Sequence, residues 1–218
     1  LYKTAQTGAD KQLQEFLWIW AGLTALISAI SWYSSDSTQS GVHHWNIALS
    51  SLVVASAMSG NAQAVIAFGW TFLLPGSLIL LSGYRNKALT GLYVLGILAI
   101  SALPFTPTWS SVILYSNSFH ISWLLFIPAQ ILIIGGFIQQ ILRKDSLDPR
   151  LERWERWTHL GGLILILVIT FLLSWWAFRG SLGSDWQSPD LLSSWPAIIV
   201  LVGIGILWLL ARRISKPA

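Results

Sequence analysis

Seven long apolar stretches run through this sequence, and none carries a charged side chain in its body. Backbone amides in hydrocarbon must find their partners inside the segment, so such stretches can only be helices. A bilayer is crossed by about 20 mainly apolar residues, range roughly 17–25. The stretches are Leu13 to Trp32, a short Ser- and Ala-rich one from Val42 to Met58, and Ala62 to Ser82. A fourth starts near Ala88, is broken by Pro104 and Pro107, and continues as a half-helix from Trp109 to Tyr115. The last three are His120 to Leu142, Trp157 to Phe178 and Trp195 to Leu210. The expected fold is therefore all-α: a polytopic transmembrane helix bundle of about seven spans, one discontinuous at Pro104/Pro107. Its parts are a polar N-terminal tail (1–12), a bundle (13–142), a charged loop (143–156), two C-terminal helices (157–211) and a basic tail (212–218).

Composition agrees. Of 218 residues, 54% are hydrophobic and 10% charged, against about 25% charged in soluble domains. A soluble globule of this size has too little interior to hide that apolar surface. The absence of cysteine excludes disulfides and thiolate metal sites. The pI near 9.6 invites a nucleic-acid reading, but the basic residues gather at helix ends, where membrane topology accounts for them. The chain opens on Leu1 rather than Met, as a processed chain or a fragment does, and Leu1 to Gln14 lacks the apolar core of a signal peptide.

Seven crossings place Arg85, Lys87, Arg143, Lys144, Arg150, Arg153, Arg156, Arg212, Arg213 and Lys216 on one side, and Lys3, Lys11 and Arg179 on the other. The positive-inside rule then puts the N-terminus outside and the C-terminus in the cytoplasm. Tryptophan is abundant, at 14. Trp32, Trp45, Trp109, Trp157, Trp175, Trp176 and Trp195 fall at expected span ends, which reads as an aromatic belt at headgroup level. Stacking on a pigment, quinone or haem is the alternative.

The segment Asp145 to Arg156 is dense in charge. Its residues Arg150, Glu152, Arg153, Glu155 and Arg156 read as a solvated helix start or as a docking loop for a neighbouring subunit. Glu152 and Arg156 are spaced i, i+4 in the favourable order. His43, His44, His120 and His159 all lie at the ends of expected spans. They read as interfacial histidines with access to water, or else as peripheral ligands of haem or a chlorophyll. Glu15 is the one acid close to a span, and a single carboxylate at an edge makes no relay. Pro75, followed by Gly76, sits in the middle of the third stretch. It removes a backbone donor and kinks the helix, as Pro104 and Pro107 do in the fourth. Such breaks line ion or substrate paths in transporters, or are packing kinks. The small residues Gly161, Gly162, Gly203 and Gly205 suggest close helix contacts. No phosphate loop, nucleophile elbow or metal-spaced cluster is present, so enzymatic chemistry is not expected and no cofactor is required.

Three local patterns, in this order, carry a resemblance. The first is LWIWAGLTALISAISWYSSDS, Leu17 to Ser37, with Gly22, Thr24 and Asp36 matching. The second is the helix end LILLSG, Leu78 to Gly83, and the third is LAISALPFTPTW, Leu98 to Trp109. Together they resemble the second half of the antiporter-like subunits of respiratory complex I and of Mrp-type cation/proton antiporters. The likeness covers roughly Leu17 to Tyr115 and weakens toward the C-terminus. It implies a discontinuous helix at Pro104/Pro107 and a proton-translocating ancestry. The departures lie at the family's ionisable positions. Thr38 and Gln39 stand where it has Lys-Arg, Pro75 where it has a buried lysine, and Ser111 or Val112 where it has Lys or Glu. The family's first half-repeat is also missing. The reading that follows is a membrane subunit of a larger energy-transducing complex, structural or assembly-related, with other membrane subunits as partners and no proton path of its own. The alternatives are a pigment-, haem- or quinone-binding subunit, and an ion or proton transporter completed by partner chains.

Overall fold

A tight, serine-rich corner joins the first two helices near the beginning of the chain and sets the architecture. In the computed structural model, α1 runs Gly8–Ser34 and α2 runs Thr38–Met58. Ser37 caps α2 with an extended backbone, and its hydroxyl accepts the amide of Ser40 at 3.1 Å. That cap satisfies a donor that the helix start would leave orphaned, so α2 begins four residues before the apolar stretch does. A three-residue corner forces α1 and α2 antiparallel. At the far end of the pair the Gln14 side-chain amide donates to the Met58 carbonyl.

Four further helices follow: α3 Ala62–Leu80, α4 Thr90–Ile100, α5 Trp123–Leu142 and α6 Trp195–Ile214. Residues 8–60, 62–80, 90–101, 103, 106, 108, 123–142, 195–214 and scattered helical positions between 154 and 172 are described. Helix is the only regular secondary structure among them. The α1–α2 pair is central. α5 packs along α1 and touches α2, α3 packs on α2, α4 on α3 and α6 on α5. α6 opens on Trp195–Pro196, a proline where no helical amide bond is lost. It continues through Arg212 and Arg213, cations that favour a helix C-terminus.

Two helices among the described residues are long and apolar enough to cross a membrane: Gln12–Ser34, with mean hydropathy 1.5, and Leu124–Ile141, with 1.8. Ala64–Gly76 and Ile198–Leu207 are shorter apolar helical stretches.

The interior is built of small residues and a few large rings. Ala25, Ala29, Ala48, Leu52, Ala55 and Ala129 are fully enclosed, as are Trp32, Trp45, Phe126 and Phe137. Trp32 meets Trp45 edge-on at 5.4 Å, Trp45 meets Phe137 at 5.7 Å, and Trp18 meets Phe126 at 5.4 Å. The expected aromatic belt therefore does not include Trp32 or Trp45. They sit near a helix corner, but on the inward side, where alanines and glycines leave room for a ring. Trp157 is exposed. The side chains of Trp109, Trp175, Trp176 and Trp195 lie outside the described residues. The outer surface is strongly apolar. Phe16, Trp20, Ile27 and Ile30 of α1, Leu124 of α5, and Ile198, Val202, Ile206 and Leu209 of α6 all point away from the bundle.

Candidate functional site

The most connected polar group lies where α5 reaches the corner between α1 and α2. Ser35 follows the last residue of α1, and its hydroxyl donates to the Trp32 carbonyl at 2.7 Å. Thr38, in the first turn of α2, donates from its hydroxyl to Gln140 Oε1 at 3.1 Å. Gln140 is buried on α5 and returns its amide to Ser35 Oγ at 3.1 Å and to the Ser35 carbonyl at 3.4 Å. One turn deeper, Trp32 Nε1 donates to the Ile133 carbonyl at 3.1 Å. One carboxamide and one indole thus join three helices. Two glycines permit it. A side chain at Gly41 would strike the Trp32 ring and Ser35 Oγ, and one at Gly136 would strike Trp32 Cδ1 and Nε1. Every donor and acceptor in this node is a hydroxyl, a carboxamide, an indole or a backbone group, and none gains or loses a proton near neutral pH. It can hold helices together, but it cannot store a proton.

Pro75 is buried inside α3. Its ring nitrogen has no hydrogen, so the Thr71 carbonyl loses its usual helical donor. Thr71 is buried too, and its hydroxyl donates to the Ala67 carbonyl at 2.9 Å. Beside this break lies Trp45, whose Nε1 would be 3.7 Å from a methyl on Gly76. Trp45 is fully enclosed, yet its Nε1 has no acceptor among the described residues. An unsatisfied buried donor costs about 1–3 kcal/mol. Trp45→Phe leaves a small cavity but also removes the unsatisfied donor, so it is expected to cost well below the about 3–5 kcal/mol of cutting an enclosed Trp to Ala. Thermal unfolding in detergent micelles checks this, and a loss as large as that of Trp45→Ala would mean that the indole has an acceptor.

His43 and His44 occupy successive positions on α2, with ring centroids 6.1 Å apart and near-perpendicular planes. His43 is exposed and His44 half-buried. Neighbours in a helix point about 100° apart, so the two do not share one ligand axis. Among the described residues no three His, Cys, Asp or Glu side chains cluster as a metal site requires. His120 and His159, the breaks at Pro104 and Pro107, and the loop residues Arg150, Glu152, Arg153, Glu155 and Arg156 lie outside the described residues.

No protein-family model, curated protein or solved structure matches the chain.

Three features of these helices are not marked by any motif in the sequence. Gln140 stands out as a carboxamide near the end of an otherwise apolar stretch, and that contrast was its available signal. Pro128, inside α5, interrupts a helix as Pro75 does. Asn46 is the third. It is the strongest hydrogen-bonding side chain in the body of α2, and it faces outward in a groove shared with α1.

Proposed function

We propose that the chain is an integral membrane subunit of a larger energy-transducing complex, antiporter-like in descent, with a structural role and no proton path of its own. One observation carries the reading. Among the described residues, the buried polar side chains on the helices and the turn after α4 are Ser, Thr and Gln, joined by the neutral phenol of Tyr93, with no buried Asp, Glu, Lys, Arg or His, while many large apolar side chains face outward. Contiguous apolar surface on that scale belongs against lipid or other subunits. An interior of neutral groups offers nothing on which a proton can pause, and ionisable groups at depth mark proton paths in membranes.

Packing supports the number of spans we propose. α2 is too rich in Ser, His and Asn to pass for a span by composition, yet it lies antiparallel to α1 along its length. Its 21 residues reach about 31 Å at 1.5 Å each, close to the roughly 30 Å of hydrocarbon. If α1 crosses, α2 crosses beside it. α3, α4 and α6 extend the same bundle, and the apolar stretch from Trp157 to Phe178 brings the total to about seven. On that count the basic residues place the N-terminus outside and the C-terminus in the cytoplasm. The resemblance to the antiporter-like subunits supplies the descent. Pro75, at the position of a buried lysine in that family, supports loss of transport.

The test is reconstitution. The purified chain in liposomes loaded with a pH-sensitive dye is expected to dissipate an imposed pH gradient no faster than empty liposomes. Faster dissipation, removed by Gln140→Leu, would refute the inert-subunit reading.

A further inference from the structure

We draw no further inference here: the strongest candidate, the enclosed Trp45 indole beside the Pro75 break of α3, carries nothing, because nothing among the described residues shows what its Nε1 would bind.

Discussion

Trp32→Ala is expected to lower the stability of the bundle by about 3–5 kcal/mol, the range for deleting a fully enclosed large side chain. Three helices meet on this one ring. It grows from α1, lies against Trp45 of α2 at 5.4 Å and donates to the Ile133 carbonyl of α5 at 3.1 Å. The α2 backbone closes over it at Gly41 and the α5 backbone at Gly136. Removing the ring opens a hole that alanines and glycines cannot refill, since they have no side-chain length to move inward. Thermal unfolding in micelles, read by circular dichroism, measures the effect. Trp154→Ala is the comparison: that ring is 74% exposed, and its removal is expected to stay within about 0.5 kcal/mol of the parent. Equal losses for the two would show that Trp32 does not hold the junction.

The same ring shows what the sequence could and could not reveal. Helix type follows from local properties, and the starts of α3 at Ala62 and of α6 at Trp195 fall where the apolar runs begin. The α2 start was less legible, because the Ser37 cap and the polar turn Thr38–Ser40 belong to the helix without being apolar. The inward face of each helix was not legible from hydropathy at all. When core and surroundings are both apolar, an amphipathic stripe disappears. α1 illustrates this: Ile27 and Ile30 face out while Ala25, Ala29 and Trp32 face in. The faces are marked instead by side-chain size, with small residues inward wherever a ring must fit. Trp32 and Trp45 stand near the ends of apolar stretches and so resemble belt residues in the sequence, and only the small residues opposite them reveal their burial. Gln140 joins partners more than a hundred positions away. No spacing rule connects Ser35 and Thr38 to it. Glycine is ambiguous in the same way. Gly203 is close to Ile131, but Gly161, Gly162 and Gly205 have no described neighbour within 4 Å of an added methyl.

That ambiguity gives a graded expectation. Gly136→Ala places a methyl 2.5 Å from Trp32 Cδ1 and Nε1. Trp32 cannot yield, being fixed by Trp45 on one side and its bond to Ile133 on another, so the helices must part. Overpacking of this kind costs about 1–3 kcal/mol, with about 1 kcal/mol more if the indole hydrogen bond is lost. Gly203→Ala also meets an atom at 2.5 Å, but it is Ile131 Cδ1, the far end of a side chain that can rotate, so its cost is expected to be smaller. Gly205→Ala meets no described atom within 4 Å and is expected to stabilise the helix by up to about 1 kcal/mol through helix propensity. Combining Gly136→Ala with Trp32→Ala tests the mechanism rather than the rank order. Once the ring is gone, the methyl has nothing to strike and fills part of the space left behind. The double variant should therefore be more stable than the sum of the single losses implies, by about 1–3 kcal/mol, the coupling typical of residues in contact. Strict additivity in unfolding measurements would mean that Gly136 is needed for some reason other than the approach of Trp32.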